Sequence, residues 1–92
     1  MIFSFKCADT RALFNTGKSR RFANIKTVAE RKLTQLQAAV SLESLKAPPG
    51  NRLEALTGDR QGQHSIRIND QWRICFVWTD DGANDVEMVD YH

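Results

Sequence analysis

Two different hydrophobic periods divide this chain. In the first half, apolar residues recur at three- and four-residue steps, which is the spacing of one face of an α-helix. This apolar stripe consists of Phe22, Ile25, Val28, Ala29, Leu33, Leu36 and Ala39. It predicts a helix over about residues 23–40, with Asn24 as a plausible N-cap.

Shorter apolar groups precede this long helix. The run at residues 2–5 predicts a first strand. A short helix around Leu13 is expected to be capped by Asp9 or Thr10 and to end at Gly17, since glycine favours the left-handed conformation that closes a helix.

The pattern changes in the second half of the chain. Residues 41–45 predict one more helical turn, which the Pro48-Pro49-Gly50 sequence ends. Beyond residues 52–56 and a run of turn-forming residues, apolar and polar side chains alternate, as they do in half-buried strands. Such strands are predicted at residues 64–68, 72–78 and 85–91, with turns at 58–62, 69–70 and 81–82.

Helices followed by an antiparallel meander indicate an α+β fold. In the middle strand the aromatic and aliphatic residues fall on one face, which we expect to lie under the long helix; they are Trp72, Ile74, Phe76 and Trp78. Arg73, Cys75 and Val77 then point the other way. That second face is where we expect chemistry, because it carries Arg73.

Composition narrows the class of protein. Ninety-two residues of ordinary apolar and charged content predict one small domain over residues 1–92. No apolar run approaches the roughly 20 residues that span a bilayer, and the start does not resemble a secretory signal. Cys7 and Cys75 are far apart and lack nearby metal-ligand spacing. We therefore expect a cytoplasmic, metal-free protein with two free thiols and no membrane association.

The small net charge of +2 hides a strong asymmetry along the chain. Residues 1–32 carry eight basic and two acidic side chains, whereas residues 79–92 carry five acidic and no Lys or Arg side chains. A basic segment of this kind favours a polyanion or an acidic partner. A solvated helix face would give the same pattern, so charge alone leaves both interpretations open.

Several side chains in the second half suit cleavage of RNA without a metal. That reaction needs a base for the ribose 2′-OH, an acid for the departing 5′-oxygen, and a cation at the phosphate. The candidates are Arg52, Glu54, His64, Arg67, Arg73, Asp90, Tyr91 and His92. Each also has a structural interpretation: Arg73 can pair with Glu54, Asp90 or Glu87, and His64 can simply end a strand.

The order of these motifs resembles the HigB toxins of the RelE/ParE superfamily over essentially the whole chain. The motifs are Ile2-x-Ser4-Phe5, Leu13-Phe14, Leu53 to Leu56, Gly58-Asp59-Arg60-x-Gly62, His64-Ser65-Ile66-x-Ile68-Asn69-x-x-Trp72-Arg73-Ile74-x-Phe76 and Val89-Asp90-Tyr91-His92. The combination is far more specific than any one of them. The resemblance implies a RelE-like fold, with an N-terminal strand and two to three helices packed on a small antiparallel sheet.

The resemblance also implies a function. Such proteins are toxins of type II toxin–antitoxin systems that cut mRNA in the ribosomal A site and stop translation, with neither metal nor organic cofactor. The implied partner is a HigA-like helix-turn-helix antitoxin, through which alone the toxin would meet operator DNA. By motif position, Arg73 would bind phosphate, and Asp90, Tyr91 and His92 would be active-site groups. The residues expected to contact RNA or the ribosome are Lys18, Arg20, Arg21, Lys26, Arg31, Lys32 and Arg67.

One departure from the family pattern affects the expected mechanism. Where well-known members carry a histidine and a lysine, this chain has Glu54 and Thr57. Our hypothesis is that Glu54 is the general base, His92 the general acid and Arg73 the phosphate clamp. Two other classes stay open: a toxin that binds another target such as DNA gyrase, and a non-catalytic module that joins its antitoxin in repression.

Overall fold

The structure is a computed structural model that describes residues 1–90. Tyr91 and His92, two of the predicted active-site residues, lie outside the described residues. Two α-helices precede four strands in the chain. They are α1 (Ala8–Thr16), α2 (Lys26–Ala38), β1 (Glu54–Ala55), β2 (His64–Arg67), β3 (Trp72–Thr79) and β4 (Gly82–Asp90). Short 3₁₀ turns at Ala23–Ile25, Glu43–Lys46 and Gly58–Arg60 connect them.

Helix α1 ends as predicted but begins differently. Gly17 adopts φ 71° and its N–H bonds to the carbonyl of Leu13 at 2.9 Å, which closes the helix. The N-cap prediction was wrong: Cys7 holds that position without a side-chain bond. Thr10 lies inside the helix and is fully buried, where its Oγ1 accepts the N–H of Met88 at 3.1 Å. A buried strand N–H needs a partner, and Thr10 supplies it.

The long helix is confirmed in its middle and shorter than predicted at both ends. Residues Ala23–Ile25 form a 3₁₀ turn, so Asn24 is not the N-cap of α2. At the other end Ala39 is extended, with ψ 127°, and its carbonyl accepts the terminal ammonium of Met1 at 3.3 Å. The chain therefore leaves the helix early to meet its own N-terminus.

The four strands form one antiparallel sheet in the order β1-β2-β3-β4. Strand β1 has only two residues, and pairing with β2 defines it. The β3–β4 turn lies at Asp80 and Asp81, with φ 51° and 63°, one position before the predicted turn. Positive φ at both positions suits the right-handed twist of a two-residue hairpin, so Gly82 already belongs to β4.

The N-terminal segment runs parallel beside β4 but does not form the predicted strand. Two isolated bridges, Ile2 with Ala83 and Phe5 with Val86, replace a continuous ladder. The ladder is interrupted where β4 bulges: Asp85 has φ 53° and its N–H bonds to the Ser4 hydroxyl at 2.8 Å. The segment still covers this edge of the sheet.

The predicted core face of β3 is confirmed. Ile74 and Phe76 are fully buried in the cluster that includes Leu33 and Leu36 of α2. Trp72 meets the ring of Phe22 edge-on, with centroids 5.4 Å apart and planes at 89°. The core thus lies between α2 and the aromatic face of the sheet. Arg73 and its neighbours occupy the opposite face.

Candidate functional site

Strand register gathers charged side chains on the face of the sheet that carries Arg73. Directly paired residues in an antiparallel sheet share a face. One row across the four strands therefore holds Glu54, Ser65, Cys75 and Glu87. The neighbouring row holds Arg67, Arg73 and Val89.

Arg73 is held by at least three groups. Its Nε donates to the hydroxyl of Ser65 at 2.7 Å, and its Nη2 donates to the carbonyl of Arg52 at 2.8 Å. The same Nη2 lies 3.5 Å from Oε1 of Glu54. The Arg73 side chain is 11% exposed, whereas that of Glu54 is 52% exposed. Ser65 and the carbonyl of Arg52 thus orient the guanidinium of Arg73, and the carboxylate of Glu54 beside it remains accessible to a ligand.

The segment that supplies two of these contacts has an unusual backbone. Arg52 adopts φ 45°, which only a few per cent of non-glycine residues do. This conformation accompanies the turn of its carbonyl towards Arg73. Two residues later, Glu54 enters β1 opposite Ser65. Backbone and side chain of one short segment therefore meet the same guanidinium.

A second ion pair lies on the far side of the same row. Arg60 donates through Nη1 to Oε1 of Glu87 at 2.8 Å and to Oε1 of Gln63 at 3.1 Å. Beneath it Cys75 is fully buried. Burial raises the pKa of the Cys75 thiol; Arg60 and Arg73 oppose that rise, and Glu87 and Glu54 add to it. The thiol therefore stays protonated at neutral pH, so it is not an activated nucleophile.

Asp90 does not share the face of Arg73. It pairs in register with Trp72, on the opposite side of the sheet, and its Oδ2 accepts a hydrogen bond from Gln71 Nε2 at 3.0 Å. The described structure therefore brings Glu54 and Arg73 together but places Asp90 elsewhere. Tyr91 and His92 lie outside the described residues, so their predicted roles remain predictions.

Five of the predicted RNA-contacting residues lie exposed in the segment that joins α1 to α2 and in α2 itself. They are Lys18, Arg20, Arg21, Lys26 and Arg31. Among them Arg21 is anchored: its guanidinium lies 5.1 Å from the centroid of the Phe22 ring, and its Nη1 lies 3.5 Å from Oδ2 of Asp9. We call these five residues the basic surface.

Lys32 is a correction to the sequence prediction. It was expected to contact RNA, but it is only 5% exposed and its Nζ donates to Oδ1 of Asn51 in the interior. Burial, then Arg31 and Arg67, lowers the pKa of Lys32. Its spacing gave a signal, since Lys32 follows Ala29 by three residues and precedes Leu36 by four, which places it on the buried face of α2.

Arg67 also differs from the prediction in its surroundings. It lies on β2 next to Arg73, apart from the basic surface, and its Nη2 is paired with Oδ1 of Asp70. Its neighbour Ser65 was missed as a site residue. The alternation of residues 64–68 places Ser65 and Arg67 on one face, and the register with β3 then puts Ser65 beside Arg73.

His64 borders a groove on the other side of β1. The groove has a volume of about 450 Å³ and is lined by Leu42, Glu43, Lys46, Leu53, Glu54, Ala55 and His64. The imidazole stacks on Phe76 with centroids 6.4 Å apart, and its Nδ1 is buried with no hydrogen-bond partner among the described residues. His64 is therefore oriented by packing and lies away from the Arg73 face.

Within residues 1–90, no group of three or more His, Cys, Asp and Glu side chains is arranged to hold a metal ion. None of the helices in this described part has the length and apolar character that crossing a membrane requires.

The fold defines the class of protein. The YoeB–YefM complex from Staphylococcus aureus superposes with a TM-score of 0.62 at 16% identity, covering 100% of this chain and 98% of the other. YafQ from Escherichia coli strain BL21(DE3) gives a TM-score of 0.62 at 11% identity, covering 98% and 93%. The fold is that of the RelE-like toxins.

Sequence similarity defines the family. Residues 3–92 match the family model described as the RelE-like toxin of type II toxin–antitoxin system HigB. Toxin HigB-1 of Vibrio cholerae is 38% identical over 82 residues, covering 87% of this chain and 86% of that protein. An uncharacterised protein of Haemophilus influenzae is 31% identical over 66 residues, covering 72% and 65%. The chain belongs to the HigB-like toxins, which confirms the predicted family and its type II toxin class.

Proposed function

We propose that this HigB-like toxin is a ribosome-dependent mRNA endonuclease that cleaves mRNA in the A site, without a metal or organic cofactor, and so inhibits translation. Family membership supports a toxin, and the Arg73–Glu54 pair supports the chemistry. An oriented guanidinium next to an accessible carboxylate is the pairing of cation and base that metal-free cleavage of RNA needs.

The proposed roles follow from these groups. Glu54 takes the proton from the ribose 2′-OH, whose oxygen then attacks the adjacent phosphorus. Arg73 stabilises the charge that builds on the phosphate oxygens, for which its planar fork is suited. His92 gives a proton to the departing 5′-oxygen, so the backbone bond breaks and a 2′,3′-cyclic phosphate remains. Tyr91 and Asp90 are further proposed active-site groups, although Asp90 lies on the face of the sheet opposite Arg73.

The proposed approach to the ribosome uses the basic surface. Its exposed cations attract phosphate irrespective of sequence, and each phosphate neutralised releases counterions. Arg67 contributes from β2, close to the scissile phosphate. Lys32 has no part in this contact because it is buried.

The proposed partner is a HigA-like helix-turn-helix antitoxin, which also provides the only contact with operator DNA. The solved YoeB–YefM complex, which shares the fold, supports a protein partner of this general kind. A toxin that works on translating ribosomes acts in the cytoplasm, which is the location we propose.

Primer extension on mRNA during expression of the toxin tests this function. We expect strong stops within translated codons for the native chain, and their loss in the shape-preserving variant Glu54→Gln and in His92→Ala. Asp59→Asn, an acidic residue on the exposed turn after β1, is the matched control and should leave the stops in place. Stops of native intensity in Glu54→Gln would remove Glu54 from the mechanism.

A toxin that acts by binding alone is the second candidate, because the Arg73 side chain is largely covered and donates to a backbone carbonyl. Such a toxin would not need the imidazole of His92. Growth arrest by His92→Ala equal to that of the native chain, with no mRNA cleavage in either, would favour this candidate.

A further inference from the structure

A buried cation links helix α2 to the segment that contacts Arg73. Lys32 projects from α2 into the interior, where Nζ donates to Oδ1 of Asn51. Both side chains are almost completely buried. A charged group removed from water in this way is stabilised only where its hydrogen-bond acceptor is held in place.

Asn51 holds that acceptor through its other polar groups. Its Nδ2 donates to the carbonyl of Leu45 and to Oε1 of Gln35, both at 3.1 Å. Its own carbonyl accepts the N–H of Arg67 at 2.6 Å. One residue is therefore tied to α2, to the turn at Glu43–Lys46 and to the end of β2.

The contacts of Arg73 begin at the very next residue. The carbonyl of Arg52, a residue with φ 45°, accepts from Arg73 Nη2 at 2.8 Å, and Oε1 of Glu54 lies 3.5 Å from the same nitrogen. Only two residues separate Asn51 from Glu54. A chain this short couples the position of the Lys32–Asn51 pair closely to that of the groups that contact Arg73. A shift of Asn51 would move both groups that meet the guanidinium.

We propose that Lys32 and Asn51 form a positioning device that fixes the Arg52–Glu54 segment against Arg73. The proposal rests on the proposed nuclease function of that pair. Lys32 is in this view a positioning residue that contacts no RNA. Misplacing catalytic groups by about 1 Å can cost about a hundredfold in rate, so the device should affect catalysis more than binding.

A simple core interaction would predict something different. If Lys32 and Asn51 only stabilise the fold, their replacement should lower cleavage in proportion to the loss of folded protein. The double variant Lys32→Met/Asn51→Leu separates the two cases. It replaces both partners with apolar groups of similar length, which removes the cost of an unpaired buried ammonium that Asn51→Leu alone carries, but it cannot restore the bonds to Leu45 and Gln35.

The experiment measures unfolding midpoints and cleavage kinetics on programmed ribosomes for the native toxin, Lys32→Met, Asn51→Leu and the double variant. We expect kcat to fall about tenfold in each single variant with KM unchanged, and to stay low in the double variant although its unfolding midpoint rises above that of Asn51→Leu. The core variant Leu13→Val, a buried position in α1 that takes no part in the Lys32–Asn51 hydrogen bonds, is the control: it should lower the unfolding midpoint but keep the native kcat. Recovery of kcat together with stability in the double variant would overturn the proposal.

A second readout does not depend on cleavage. The Nη2–H signal of Arg73 in a ¹⁵N NMR spectrum reports its contact with the carbonyl of Arg52. We expect a sharp, slowly exchanging signal in the native toxin and in Leu13→Val, and a broadened one in Lys32→Met. If the native toxin cleaves nothing, the proposed function fails while this signal still decides the positioning role. An unchanged signal in Lys32→Met would reject that role.

Discussion

At the scale of single residues, Ser65 determines how Arg73 is presented. Its buried hydroxyl accepts from Nε, which leaves the guanidinium fork turned towards Arg52 and Glu54. This role depends on the cross-strand register, since Ser65 and Arg73 are eight positions apart in the sequence. The alternating pattern of β2 alone therefore does not predict that the Ser65 hydroxyl orients Arg73.

Removing that hydroxyl should therefore weaken both the fold and the site. We expect Ser65→Ala to lower the free energy of unfolding by about 1–3 kcal/mol, because a charged donor loses a buried partner. The cleavage rate should fall more than this loss of folded protein explains. Urea titration and single-turnover cleavage measure the two effects. The control Ser44→Ala removes an exposed hydroxyl contact to Ser41 and should change neither.

Cys75 gives a prediction about pH. Because its pKa is raised in the folded state above the ordinary 9.0, the unfolded chain ionises first, and the stability from the protonated thiol is present below pH 9.0. That stability is lost as pH rises through the raised folded pKa. We expect the free energy of unfolding to fall above pH 9, and Cys75→Ala to show a shallower fall. Identical slopes for the two proteins between pH 8 and 10.5 would contradict this.

At the scale of elements, the local pattern of apolar residues was enough to predict a helix or strand wherever the element's own side chains define its buried face. The middle of α2 and the alternation of β3 were predictable for that reason, and so was the closure of α1 at Gly17. The two residues of β1 were not, because pairing with β2 makes them a strand. The bulge at Asp85 and the interrupted N-terminal pairing likewise depend on contacts between distant parts of the chain.

The N-terminal segment depends on the absence of a side chain at Gly82. A Cβ there would lie 2.2 Å from Cε2 of Phe3, well inside contact distance. We expect Gly82→Ala to displace the segment from the β4 edge and to cost about 1–3 kcal/mol in unfolding free energy, as overpacking does. Urea titration measures the cost.

The Phe3→Ala background supplies the control for this change. There the added methyl group meets no ring, so Gly82→Ala should cost much less, and the difference is the coupling energy of the pair. Equal costs in the two backgrounds would show that Phe3 does not determine the effect.

At the scale of the whole molecule, the charge asymmetry of the sequence becomes a spatial one. The basic surface lies exposed on the helical part of the molecule, whereas Arg73 and Glu54 lie on the face of the sheet opposite α2. Lys6 is an exception, since its Nζ lies 4.0 Å from Oε1 of Glu87 on the Arg73 face. Charge alone does not distinguish Lys32 from the lysines and arginines of the basic surface. The difference lies in the direction of the side chain on α2: Arg31 points to solvent, whereas the adjacent Lys32 points into the interior.

Arg31 and Lys32 turn this difference into a matched comparison. Both carry one positive charge, but Arg31 is exposed and Lys32 is buried. We expect Arg31→Met to raise KM for programmed ribosomes and to reduce the slope of log affinity against log salt by roughly 0.7 to 0.9, the effect of one lost phosphate contact. Lys32→Met should keep both the KM and the salt slope of the native toxin, because its charge never reaches RNA. A salt slope reduced equally by both variants would mean that the net charge of the toxin, rather than its basic surface, governs binding to the ribosome.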